Sequence, residues 1–190
     1  MENKNNYTFY CFAGHHNNDS GAVGVGGIKE ADKTKQWRDL TAKRFKQIRP
    51  SANVVTDNDN MILRDIIAQT KKTIKSNDSL IEFHYNSASK IATGIEVFVD
   101  DNASSRSKSI AKKIVDVMSQ ITDLPNRGVK TESQSNRGQL GILGMKGAAI
   151  LIEVGFINNP KDIDQTDKWM HWICEEIAQI IAADYDSQNK

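Results

Sequence analysis

Residues 150–156 read Ile-Leu-Ile-Glu-Val-Gly-Phe, an apolar run with one acid, Glu153, set inside it. The stretch around it, residues 148–154, is the most hydrophobic strand pattern in the chain. A charged carboxylate among β-branched and aromatic neighbours loses its hydration, so a chain that keeps one there pairs it or uses it. At the C-terminal end of a strand, with its pKa raised by apolar surroundings, Glu153 suits a general base. It reads equally well as a structural acid bound to a lysine or to backbone N–H groups.

Working outward, Asn158-Asn159-Pro160 turns the chain into a final helix, expected over about 163–185, with Trp169, Trp172, Ile173, Ile177, Ile180 and Ile181 facing inward. Upstream, residues 7–12, 53–55, 80–84 and 95–99 read as strands, and 139–143 as a short one. Helical spacing is expected over 37–49, stopped by Pro50, over 61–74 behind N-cap residues at 57–60, and over 104–121. The charged run 29–33 does not read as a helix start, and residues 122–138 read as a loop carrying Arg127, Lys130 and Arg137. Strands alternating with helices predict a single α/β domain, its core at about 7–185. Its sheet would be mostly parallel and twisted, of about six strands, with helices on both faces.

The composition sets limits. At 190 residues the chain suits one core, and a domain of this size buries about 70% of its unfolded surface without staples. The basic and acidic residues, 25 and 24, leave a net charge of +1, which disfavours a nucleic-acid partner. Cys11 and Cys174 make no framework and read as buried thiols. The polar start, residues 1–6, shows no signal peptide, and no apolar stretch is long enough for membrane insertion. Glycines in Ala22–Gly27 match neither GxGxxG nor a P-loop; they read as a loop that lets backbone pass close to a site.

His15, His84 and Glu153 fall at or just past predicted strand ends, where α/β sheets bind ligands. Two imidazoles and a carboxylate form an open catalytic zinc set, with room for water. His15 and His84 are the candidate imidazoles and Glu30 the candidate carboxylate, with Glu153 a non-ligand acid beside the metal. Taken singly, each histidine also reads as an ordinary hydrogen-bonded residue, and Glu30 as part of a solvated charged run. His16 would face substrate or support a ligand, and His171, in the last helix, reads as structural.

These residues carry a resemblance to the zinc-dependent N-acetylmuramoyl-L-alanine amidases of the amidase-3 type, found in bacterial wall hydrolases and phage endolysins. Gly14-His15-His16-Asn17-Asn18-Asp19-Ser20-Gly21-Ala22 is similar to the family's GHGGxDxGA loop. Lys29-Glu30-Ala31-Asp32 resembles its E-K-D segment, and His84-Tyr85-Asn86-Ser87-Ala88 its H-x-N-A segment. Glu153-Val154-Gly155-Phe156-Ile157-Asn158-Asn159-Pro160 resembles E-x-G-F-x-x-N-P, and Asn126-Arg127-Gly128-Val129-Lys130 resembles D-R-G-V-K. The chain departs at Phe12-Ala13, where Asp-Pro is frequent, and at Glu82, where serine is common.

The resemblance implies one Zn²⁺ held by His15, Glu30 and His84, with Glu153 catalytic. It implies hydrolysis of the amide between the lactyl group of N-acetylmuramic acid and L-alanine in peptidoglycan. Asn86, Arg127 and Lys130 are candidate substrate contacts; the loop cations Arg127, Lys130 and Arg137 would hold stem-peptide carboxylates, and they also read as solvated loop charges. The short region after His84 leaves little room for an autoinhibitory helix. Two other functions stay open: a zinc peptidase cutting within the stem peptide, and a non-catalytic peptidoglycan-binding module. A monomer is the default expectation. The location expected is that of a phage lysin, cytoplasmic until released onto the cell wall for cytolysis, or that of an extracellular enzyme.

Overall fold

A computed structural model describes residues 7–189; the polar start at 1–6 lies outside them. Six strands form one sheet: β1 (Thr8–Ala13), β2 (Asn53–Thr56), β3 (Ser79–Asn86), β4 (Ile95–Val99), β5 (Asn126–Thr131) and β6 (Ala148–Phe156). Four helices complete the fold: α1 (Glu30–Ile48), α2 (Leu63–Thr73), α3 (Ser105–Thr122) and α4 (Pro160–Gln188). The strand order is β2-β1-β3-β6-β4-β5. Every neighbouring pair is parallel except β4 with β6, which run antiparallel. The expected α/β sheet, mostly parallel and of about six strands, is the one observed.

β6 lies at the centre because its sequence can be buried on both sides. Ile150, Ile152 and Val154 join the larger core, under α1, α3 and α4. Ala149 and Leu151 face the smaller core, under α2 and the segment around Ile142 and Met145. Glu153 continues that second row of alternating side chains, so it emerges where the smaller core gives way to a cleft. Asn159 caps α4 by accepting from the backbone N–H of Lys161 (2.9 Å), with Pro160 in the first turn. The strand-to-helix corner behind Glu153 is thereby fixed. Cys11 and Cys174 are buried and free.

Several local expectations are corrected. The charged run at 29–33 does open a helix. Glu30 and Asp32 occupy the first turn of α1, where acids oppose the helix dipole favourably. Residues 126–131 form the edge strand β5, polar enough to pass for a loop because one side of it meets solvent. Residues 139–140 are irregular and 141–143 form a turn, not a strand. Trp172 is 64% exposed on the outer side of α4. The acids at 57–60 do not cap α2, whose N-cap is Ile62 without a side-chain bond. Asp57 instead accepts from the backbone N–H of Ala13 (2.9 Å) and the guanidinium of Arg38 (3.2 Å).

Candidate metal centre and active site

The end of β1, the start of α1 and the ends of β3 and β6 meet at one edge of the sheet. His15 follows β1 in the left-handed region (φ 68°), an uncommon backbone for a side chain to adopt. Its Nδ1 lies 2.9 Å from Asp19 Oδ2, and its Nε2 lies 3.1 Å from Glu30 Oε2. Glu30 is 2% exposed. Backbone N–H groups bracket it: Ala22 donates to Oε2 and Tyr85 to Oε1, each at 3.0 Å. His84 on β3 places Nδ1 3.1 Å from Glu30 Oε1 and Nε2 3.2 Å from Glu82 Oε2. One carboxylate thus touches both imidazoles, one through each oxygen.

Two glycines make this closeness feasible. A Cβ on Gly14 would stand 2.3 Å from Cε1 of His84. A Cβ on Gly21, whose φ is +62°, would stand 2.5 Å from the His15 ring and 2.8 Å from Glu30 Oε2. The loop glycines at 22–27 behave differently. A Cβ on Gly24 would meet the carbonyl of Ile157 at 2.0 Å, so there the loop passes close to the end of β6, while its first residue, Ala22, brings backbone to Glu30.

Glu153 is the register partner of His84 across β3 and β6, and its Oε2 is buried without a hydrogen-bond partner. Burial lifts its carboxyl to about 7; nearby Glu30 and Glu96 add to the rise, and His84 opposes it. Burial would also raise Glu30, but its contacts with His15 and His84 outweigh that and hold it far below the carboxylate range. Burial disfavours protonated His84, yet Glu30 and Glu82 more than compensate and keep its pKa well up.

The donor set suits a cation. One ligand atom each from His15, Glu30 and His84 lies within 4.8 Å of the others. Nε2 of His15 is buried with no hydrogen-bond partner although it points at a carboxylate oxygen. An orphaned imidazole nitrogen beside a dehydrated carboxylate is what an ion would satisfy, and two imidazoles with one carboxylate match zinc.

The proposed substrate contacts Asn86, Arg127 and Lys130 gather on one side chain that went unremarked in the sequence. Glu96, on β4, accepts from Asn86 Nδ2 (2.8 Å), Arg127 Nε (2.8 Å) and the ammonium of Lys130. All four residues line a cleft of about 440 Å³ together with His84 and Glu153. His16 lines a second cleft of about 370 Å³, with His15, Asp19 and Arg137. His171 is exposed on α4, away from both.

The family model described as N-acetylmuramoyl-L-alanine amidase, amidase-3, matches residues 11–183, a span that includes every residue of this site. The chain belongs to this family. The chain is 29% identical over 185 residues to the uncharacterized protein YqiI of Bacillus subtilis strain 168, covering 94% of this chain and 85% of that one. Among solved structures it resembles an N-acetylmuramoyl-L-alanine amidase from Clostridium difficile 630 (TM-score 0.81, 24% identity, 95% and 97% of the two chains). It also resembles a putative N-acetylmuramoyl-L-alanine amidase from Neisseria meningitidis (TM-score 0.70, 29% identity, 93% and 94%). These likenesses show that the chain has the fold of these amidases.

Proposed function

We propose that this chain is a zinc-dependent hydrolase that cleaves the amide joining the lactyl group of N-acetylmuramic acid to L-alanine of the stem peptide. The observation that carries the proposal is the juxtaposition of the His15–Glu30–His84 cluster with Glu153, whose Oε2 is buried and unpartnered. His15 Nε2, a Glu30 oxygen and His84 Nδ1 would hold the zinc. When bound, zinc supplies Lewis acidity toward a carbonyl and toward water.

The remaining chemistry belongs to the chain. Glu153 Oε2 has no competing donor, so it is free to take the proton of the attacking water. The carbon–nitrogen bond then breaks, and Glu153 returns that proton to the departing nitrogen of L-alanine. The products are a lactyl carboxylate and a free amine. The same partner-free carboxyl serves both steps, holding the proton taken from water until the nitrogen departs. Asp19 and Glu82 hold the outer nitrogens of His15 and His84, fixing which nitrogen of each ring faces Glu30.

A purified wall digest read by mass spectrometry tests the reading. Free lactyl-muramic acid with a new L-alanine amine, abolished by chelator and by Glu153→Ala, is the expected result. Cut stem peptides would instead identify a zinc peptidase, and wall retention without products a binding module.

A further inference from the structure

Glu96 is 4% exposed, and it lies on the strand next to Glu153, as its direct register partner across the antiparallel seam. Its two oxygens are shared among Asn86, Arg127 and Lys130. Both cations also rest on aromatic faces. The Arg127 guanidinium stands 5.1 Å from the ring centre of Phe156, and the Lys130 ammonium 5.9 Å from that of Phe98. The charged end of each long side chain is thus pinned between a buried carboxylate and an aromatic face. Two cations against one anion leave a single net positive charge. Arg127 and Lys130 keep 37% and 27% of their side chains exposed beside the cleft, so that charge is open to a ligand.

We infer that Glu96 organises Arg127 and Lys130 into a fixed receptor for one carboxylate of the stem peptide, placed one residue beyond the scissile amide. The inference rests on the amidase reading for its substrate and adds which group of that substrate is read. Neighbouring strands lie about 4.8 Å apart. The charged ends of Arg127 and Lys130 reach back over β4, so they sit roughly one strand spacing from the strand of Glu153. An extended residue spans about 3.3–3.6 Å. A carboxylate carried by the second stem residue, just past L-alanine, falls within that reach. A primary amide at the same position carries no charge; only its carbonyl oxygen can accept from these cations, and its N–H groups face groups that are themselves donors. The site therefore distinguishes walls whose second stem residue bears a free carboxylate from walls in which it is amidated. Glu96 is a positioning residue: it touches the cations, not the substrate.

The test uses two muramyl tripeptides identical except for a free carboxylate or a primary amide on the second residue. It also uses the two corresponding tripeptides without the sugar. The zinc-loaded protein should cleave the acid with a kcat/KM about tenfold or more above the amide, the difference lying in KM, and should bind the acid tripeptide more tightly by a similar factor. Arg127→Gln and Glu96→Gln should each pull the ratio toward one, with the melting temperature recording whether the fold is intact. If Glu96→Gln does not fold, the partly exposed Arg127→Gln decides alone. Equal values for acid and amide in the wild type, or a preference for the amide, overturn the receptor. A ratio in folded Glu96→Gln at or above wild type overturns the role of Glu96. Binding that favours the acid with no cleavage of either muramyl peptide would uphold the receptor and overturn the amidase reading instead.

Discussion

His84 and Glu153 stand directly opposite one another on the parallel pair β3 and β6. Side chains so placed share one face of the sheet about 4.8 Å apart at the backbone. A side chain that contacts Glu30 and a buried acid are therefore held side by side by backbone hydrogen bonds, with no loop between them. The protonation of one is felt by the other.

The first prediction follows from that pairing. In metal-free protein the Glu153 carboxyl should titrate near 7. A buried acid whose folded pKa exceeds its unfolded value of about 4.5 binds its proton more tightly when folded. Its contribution is full below pH 4.5 and is lost as pH rises through 7. Glu153→Gln cannot ionise, so the metal-free variant should gain on the wild type above pH 7, on the order of 3 kcal/mol. Zinc beside Glu153 should lower its midpoint, because a dication favours the carboxylate. Carboxyl NMR titration with and without zinc measures both; a midpoint near 4.5 in the metal-free protein would falsify the desolvation argument.

The second concerns Gly14. Its backbone cannot retreat, because its N–H donates to the carbonyl of Phe83 (2.8 Å) and its carbonyl accepts from the Thr34 hydroxyl (2.7 Å). A methyl group there meets the His84 ring, which Glu30 and Glu82 hold in turn. Gly14→Ala should weaken zinc binding by roughly 10–100-fold, the range expected when a ligand loses its support. Gly144→Ala, whose new methyl enters open space, should leave zinc affinity unchanged. Competition against a chromophoric chelator separates the two.

These residues show how far the sequence could be read. Glu153 stood out as an acid inside an apolar strand, and the sheet sets it in register with His84. The same signal occurs twice more, as Ile81-Glu82-Phe83 and Ile95-Glu96-Val97, and all three acids line one cleft. Glu82 was legible only as a departure from a family pattern, and Glu96 not at all. Their roles depend on which strands become neighbours, and pairing between distant segments leaves no local mark. Edge strand β5 was hidden because its residues, Asn126 to Thr131, are polar and half solvated, so they lack the alternation that betrays a buried strand. The start of α1 was hidden because Lys29 to Lys33 looks like a solvated charged run, although Glu30 and Lys33 are both buried.

A third prediction concerns acid stability. Burial acts to raise the Glu96 carboxyl, but Lys130, Arg127 and Asn86 outweigh it and hold it below its ordinary 4.5. A depressed folded pKa contributes stability that is present above about pH 4.5 and disappears as pH falls through the folded value. Glu96→Gln should therefore be less stable than wild type at pH 7, by about 1–2 kcal/mol, and the gap should close below pH 4.5. Urea unfolding at a series of pH values reads this directly, and a gap that persists unchanged into acid would show that Glu96 acts through shape alone.

The last prediction separates the two faces of His84. Its Nδ1 faces Glu30 and its Nε2 faces Glu82, itself 3% exposed. A carboxylate on Nε2 requires that nitrogen to carry the proton in the neutral ring, which leaves the Nδ1 lone pair directed at the Glu30–His15 pocket. Glutamine at 82 can accept the same proton through its carbonyl oxygen but brings no negative charge. Serine is too short to reach Nε2 and leaves it buried without a partner. Zinc affinity should therefore fall in the order wild type, Glu82→Gln, Glu82→Ser, with the serine variant weaker by roughly 10–100-fold. Loss of a buried partner should also cost the metal-free serine variant about 1–3 kcal/mol of stability. Three proteins with equal zinc affinity would mean that the ring is oriented by its contacts with Gly14 and Glu30, and that Glu82 only fills the floor of the cleft.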